Sequence, residues 1–327
     1  MTSSYMMCSR AETKNGFGDS RGPMRYFTSE LPDTKLPERS SWKELSDKDF
    51  AKALVKQAQG FPRLSEDDNE SQKHLSLFVH GYNTGWDDSV KRYTSIQQRL
   101  YGGGTQGLGV LVLYTWASDG NVASYLPDRE DARASAPDLA DALVALHGQI
   151  LVMQRAAATT ERPEAKRFCR AKISVIAHSM GAFVMQKALA IASRRINNPQ
   201  LITLVHQLVL VAADIDNDLF EKSQPSDSDG ILMTNLCYRI GALYSGLDAV
   251  LGASAGLKHF GTRRLGRSGL ADRTQVPDNV FDHDVTPLIK GTPGSTHSAV
   301  FESSTALALL RAILIGVDRK LLPAPPG

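Results

Sequence analysis

Three cysteines in 327 residues, Cys8, Cys169 and Cys237, are too few, too widely spaced and odd in number for a disulfide framework or a zinc cluster. They are expected to be free thiols, and no metal is expected. No window approaches eighteen uninterrupted apolar residues, so no stable membrane insertion is expected. The leading MTSSYMMCSRAETKNGFGDS has no basic stretch followed by an apolar run, and the expectation is an unexported, cytoplasmic protein. Charge of one sign is also missing: 37 basic against 35 acidic residues give no pull towards nucleic acid or anionic membrane. No repeat recurs at a fixed period. The glycine-rich YGGGTQGLG at 101–109 lacks the Lys-Ser/Thr pair of a phosphate loop and precedes a strand rather than a helix, so a loop is expected and no nucleotide cofactor.

What is present is a 42% hydrophobic chain that can bury about three quarters of its unfolded surface. Residues 1–70 are rich in Ser, Asp, Glu, Lys and Pro. Their one clear helical signal is SWKELSDKDFAKALVKQAQ at 41–59, with Ser40 or Ser41 as cap, so this region is expected to be a partly flexible N-terminal extension ending in the acidic linker SEDDNES. Residues 71–320 are expected to form one catalytic-size domain, with 321–327 a tail.

From residue 74 strand and helix signals alternate. HLSLFVHGY, GVLVLYTWA, KISVIAHS, LVHQLVLVAADI and CYRIGALYS are apolar runs of strand length, and VFDHDVT is a last strand. Helical spacing marks WDDSVKRYTSIQQRLY, 128–154 with an interruption near Pro137, GAFVMQKALAIASRR, LDAVLGASAGL and a closing helix over 297–317. Near-continuous apolar strands alternating with helices predict an α/β fold: a mostly parallel sheet covered on both faces.

Ligands of such sheets lie beyond the carboxyl ends of the strands, and Ser179 stands at one. AHSMG matches the GxSxG nucleophile elbow with Ala177 in place of the first glycine, between the strand KISVIA and the helix AFVMQKALAIA. A serine there either reacts or merely caps the helix. A reacting serine needs a base, and the base an acid, in the order Ser, acid, His. His206 lies at the wrong end of a strand, His259 follows a helix in a basic stretch, and His283 is within the last strand. His297, in the loop KGTPGSTHSAV beyond that strand, is favoured as base. For the acid, Asp248 follows the strand nearest the base and is favoured over Asp214 and Asp216, one strand earlier. The oxyanion of acyl transfer is met by the backbone N–H groups of Met180 and of Tyr82 in LFVHGYNTGW, with His80 packing that loop.

The blocks LFVHGYNTGWDDSV, VLYTWASDG with YLPDREDARASAPDLADAL, ISVIAHSMG, LVLVAADIDNDLF, LYSGLDAVLGASAGLKHFGTRRLG and HSAVFES, in that order over about residues 74–316, resemble a bacterial α/β-hydrolase family of unknown function with esterase- and lipase-like sequences. The resemblance implies the α/β-hydrolase fold and a serine hydrolase in which Ser179, Asp248 and His297 match nucleophile, acid and base. Asp128, Arg129 and Glu130 either support the site or form a solvated helix start.

The expectation is therefore a carboxylic ester hydrolase that forms an acyl-enzyme on Ser179, needs no cofactor and takes a small-molecule ester. The short insertion between 215 and 237 leaves no room for a large cap domain. Trp86, Trp116 and Tyr125, with Tyr82, are candidates for an apolar pocket. The basic Lys258, Arg263, Arg264 and Arg267 either receive an anionic group or form a solvated loop. A lipase or phospholipase, an amidase, and a non-catalytic binding protein on the same fold are the alternatives.

Overall fold

Strand β4 (His74–Val79) is buried along its whole length in the computed structural model, which describes residues 3–61, 73–102, 107–118, 125–159, 171–195, 202–258, 261–292 and 294–323. Leu75, Leu77 and Val79 pack into one core and Phe78 into another, as the two-residue period of a strand dictates. Burying a side chain of the size of Phe78 contributes about 1.5–3 kcal/mol. A strand buried on both faces needs helices on both, and the chain supplies them.

β4 lies near the middle of a nine-stranded sheet with the order β3-β2-β1-β5-β4-β6-β7-β8-β9. The remaining strands are β1 (Ser4–Thr13), β2 (Gly16–Ser29), β3 (Lys43–Leu45), β5 (Gly109–Thr115), β6 (Lys172–His178), β7 (Val205–Val211), β8 (Cys237–Tyr244) and β9 (Val280–Asp284). β1 and β4 through β9 run parallel, while β2 and β3 are antiparallel additions at one edge. Helices α1 (Asp47–Gln59), α3 (Tyr125–Thr159) and α4 (Gly181–Arg195) cover the face that bears Leu75 and Leu77. Helices α2 (Trp86–Ile96) and α8 (Ser304–Leu314) cover the face that bears Phe78. Short helices α5 (Asp229–Leu236), α6 (Ala249–Lys258) and α7 (Leu265–Ser268) fill the connections after β7 and β8, and the β7–β8 connection carries α5 as its one helix. Among the described residues no helix is long and apolar enough to cross a membrane.

Four elements differ from the sequence expectation. Residues 1–70 hold more than one helix: β1 and β2 are a long hairpin whose first strand pairs with β5, so residues 4–29 belong to the central sheet. Their strand identity comes from burial against the sheet, not from β-branched composition. The helix starts later, at Asp47, because Ser46 accepts the Asp49 N–H while Lys43–Leu45 pairs with β2. α3 runs unbroken through Pro137: burying Ala132, Ala136, Leu139 and Leu143 offsets the proline's cost of about 3 kcal/mol. The closing helix is split into a 3₁₀ segment, Thr296–Phe301, and α8, since the Ser303 side chain accepts the Ala306 N–H and starts a new helix. Cys8 and Cys237 are buried free thiols, whereas Cys169, His259, the acidic linker, the middle of the glycine-rich loop and the last four residues lie outside the described residues.

Candidate active site

β6 ends at His178 and α4 begins at Gly181, leaving Ser179 and Met180 to make the turn. Ser179 has φ +54°, a left-handed conformation that costs a non-glycine residue about 1–3 kcal/mol. Its backbone is held on three sides. Its N–H donates to Val211 O (3.0 Å), and its carbonyl accepts from Ala182 N–H (3.0 Å) and Asp214 N–H (3.1 Å). Gly181 is required by space, since a Cβ there would stand 2.5 Å from the carbonyl oxygens of both Val79 and His80. Gly81 is required for the same reason: its Cβ would lie 2.7 Å from the Ser179 Cβ. The loop after β4 thus lies directly against the serine.

Asp248 is completely buried between β8 and α6. Its Oδ2 stands 2.7 Å from Nδ1 of His297, and its Oδ1 accepts the Leu251 N–H at 3.0 Å. A carboxylate on Nδ1 directs the His297 proton there and leaves Nε2 for chemistry. Thr296 donates its hydroxyl to Leu247 O at 3.2 Å, tying the His297 segment to the Asp248 loop a second time. Ser179 and His297 line one cavity of about 1100 Å³ together with Tyr82, Tyr125 and Asp214. Asp214, the other carboxylate considered, faces away from His297 in its bonding. It accepts from Arg264 Nε (2.8 Å), the Tyr125 hydroxyl (2.7 Å) and the Ser254 hydroxyl (3.1 Å). Burial alone would push its carboxyl up, but the Arg264 charge and the Tyr125 hydroxyl outweigh burial and hold it below the ordinary carboxylate range.

The family model described as "Alpha/beta hydrolase of unknown function (DUF900)" matches residues 62–315. The chain belongs to this α/β-hydrolase family. An uncharacterized protein of Nostoc sp. is 26% identical over 136 residues, which cover 36% of this chain and 31% of that protein, so the match spans less than a third of the relative's length. Aspergillus fumigatus lipase B is 12% identical with a TM-score of 0.39, over 82% of this chain and 58% of the lipase. A lipase-esterase related protein of Clostridium acetobutylicum is 11% identical with a TM-score of 0.32, over 75% of this chain and 94% of that one. Pyrococcus horikoshii acylaminoacyl peptidase is 11% identical with a TM-score of 0.34, over 97% of this chain and 49% of the peptidase.

In this α/β-hydrolase the loop after β4 is fixed residue by residue. Asn83, at φ +53°, donates its N–H to Asp128 Oδ2 (3.1 Å), and Thr84 donates its own to Ser118 Oγ (3.2 Å). The Ser118 hydroxyl in turn donates to Asp128 Oδ2 at 2.6 Å, so Asp128 supports the loop rather than standing in a solvated helix start. His80 packs beneath, stacked on Trp116 with ring centroids 5.3 Å apart. Its Nε2 accepts the Trp116 N–H (3.2 Å) and its Nδ1 faces Gly81 O (2.8 Å), which places the proton on Nδ1. Burial, then the Arg10 charge, push the His80 pKa down to about 3.

Two pocket expectations are corrected. Trp116 is wholly buried under His80, and Trp86 is buried against Phe17 and Trp42 with its Nε1 donating to Pro37 O; neither lines the cavity. Both belong to the core, where an aromatic ring buries most area. Tyr125 does line the cavity, edge-on to Tyr82 at 5.5 Å. The basic cluster is corrected too. Arg264 is fully buried, bridging Asp214 and Asp216, and Arg267 donates to Asp248 O, while Arg263 is exposed. Arg129 lies with its guanidinium carbon 3.9 Å from the Phe183 ring centroid, and the exposed Glu130 pairs with Arg133.

Sequence reasoning passed over His178. Its Nε2 stands 3.0 Å from His297 O, its ring is 4.9 Å from the His297 ring, and it meets the edge of Phe301 at 5.4 Å. Burial, then the neighbouring His297, hold its pKa well below the ordinary histidine value, so it is neutral and donates Nε2–H to that carbonyl. The only signal in the sequence is its place beside Ser179.

Proposed function

We propose that this α/β-hydrolase cleaves carboxylic esters through an acyl-enzyme on Ser179. The observation that carries the reading is the 2.7 Å contact of Asp248 Oδ2 with His297 Nδ1, in a histidine that shares a cavity with a serine held at positive φ. Ser179 Oγ attacks the ester carbonyl as its proton passes to His297 Nε2, and Asp248 stabilises the imidazolium that forms. The tetrahedral oxyanion accepts from the N–H groups of Met180 and Tyr82, each worth about 3 kcal/mol in such a role. Collapse breaks the ester C–O bond, and His297 returns the proton to the departing alcohol. A water then attacks the acyl-enzyme, again losing its proton to His297, and the acid leaves with Ser179 restored. The chemistry calls on no metal or organic cofactor.

Turnover of a p-nitrophenyl ester series, from acetate upward, by wild type, Ser179→Ala and His297→Ala tests the reading. Wild-type turnover is expected to peak within the series, and both variants to fall by about 10³-fold or more. A wild type that cleaves anilides but no ester makes the chain an amidase. One that cleaves neither ends the reading.

A further inference from the structure

We infer that Arg10, on the N-terminal hairpin, is a positioning residue for the oxyanion loop. The inference rests on the ester-hydrolase reading, and Arg10 lies outside the stretch that the family model matches. The Arg10 side chain has no exposed surface. Its Nη2 donates to Thr84 O at 2.6 Å and lies 3.5 Å from His80 Nε2. Its Nε donates to Thr115 Oγ1 at 2.8 Å, and its Nη1 reaches Gly18 O (3.1 Å), Ser118 O (3.3 Å) and Asp19 Oδ1 (3.3 Å).

The one carboxylate in this set, Asp19, is half-exposed, so the ion pair does not explain the burial of the charge. A buried charge is expensive and persists only where counter-charge and many hydrogen bonds satisfy it; the buried Asp128 beyond the loop supplies the former, and the guanidinium's contacts the latter. Here the bonds converge on three backbone carbonyls, of which the shortest contact is to the loop itself. The loop's N–H groups at Asn83 and Thr84 are taken by Asp128 and Ser118 from the other side. The guanidinium therefore closes a clamp whose jaws hold the N–H groups of Asn83 and Thr84 and the carbonyl of Thr84, and Tyr82 is the residue next to it. A planar fork with five donors does this; a lysine ammonium, a point charge on a flexible stem, does not. Displacing an oxyanion donor by about 1 Å costs on the order of 100-fold in rate.

The test compares wild type, Arg10→Met, Arg10→Lys and Thr115→Val in three readouts: p-nitrophenyl butyrate turnover, inhibition by phenylboronic acid, whose serine adduct is anionic, and hydrogen exchange at the amides of residues 82–84. In Arg10→Met, kcat is expected to fall about 10- to 100-fold and boronate affinity to fall in parallel, with KM within about threefold. Exchange at 82–84 is expected to speed by at least about tenfold, and Arg10→Lys to recover little. Thr115→Val, which removes the Nε acceptor, is expected to show the same pattern at about 3- to 10-fold. If Arg10→Met does not fold, Arg10→Lys decides: kcat, boronate affinity and loop exchange all within about twofold of wild type overturn the inference. A wild type without ester activity overturns the ester-hydrolase reading instead. Exchange at residues 82–84 then still decides for or against the clamp.

Discussion

Asp248 Oδ2 and His297 Nδ1 are 2.7 Å apart although 49 residues separate them in the chain, and the aspartate is completely buried while the histidine reaches the cavity. The other buried aspartate near Ser179, Asp214, is bonded to Arg264, Tyr125 and Ser254 instead. The two carboxylates have separate partners, and removing each is expected to have a different consequence.

Asp248→Asn is expected to lower kcat by about 10⁴-fold, because an amide donor at Nδ1 reverses the imidazole tautomer. Asp214→Asn leaves the Arg264 charge without its buried counter-charge and is expected to cost about 3–5 kcal/mol of stability, with a smaller effect on kcat where the variant is folded. Urea unfolding alongside steady-state kinetics separates the two; a larger rate loss in Asp214→Asn would exchange the assignments.

His178 joins the turn at Ser179 to the His297 backbone through His297 O at 3.0 Å. His178→Phe keeps the packing against Phe301 but loses that donor, so kcat is expected to drop by about tenfold with little change in KM. His178→Gln, which carries an N–H near the Nε2 position, is expected to recover most of the loss. Equal kcat in the phenylalanine variant and wild type would assign His178 to packing alone.

Acid should unfold this protein by a route set by its buried histidines. His74 and His80 are held neutral by burial, with pKa values down to about 4 and about 3. In the unfolded chain they titrate near pH 6.5, so the unfolded state binds more protons below that pH. The stability they allow is complete above about pH 6.5 and is lost as pH falls towards about 4, at up to about 1.4 kcal/mol per pH unit for each. Urea midpoints measured from pH 7.5 to pH 4.5 should fall steadily below pH 6.5. A flat profile across that range would mean that these rings are solvated.

Much of the fold was legible because a parallel sheet leaves an unusual trace. Runs such as HLSLFV and KISVIA are apolar on both alternating faces over their second half, and only a strand covered on both faces demands that. The N-terminal hairpin was not legible, since β1 and β2 carry methionine, arginine and glycine where β-branched residues are expected, and the pairing of β1 with β5 joins residues 107 apart, such as Tyr5 and Val112. Pro137 and the split after Phe301 misled for the same reason: tertiary burial and a serine cap override a local rule. At the site, Ser179, Asp248 and His297 were marked by type, order and position at strand ends, which are sequence properties. Trp86 and Trp116 were drawn to the pocket by type alone, and type does not say which way an aromatic ring faces. Arg10, His178 and the Arg264 pair escaped because each acts through a contact between segments distant in sequence.

The central claim is that Ser179 is a nucleophile activated by His297. Intact-mass and peptide-mapping mass spectrometry after treatment with a fluorophosphonate tests it most directly. One adduct is expected per chain, located on Ser179, formed by wild type and slowed by about 10³-fold in His297→Ala. Wild type that takes no label, or carries it on a residue other than Ser179, would contradict the account.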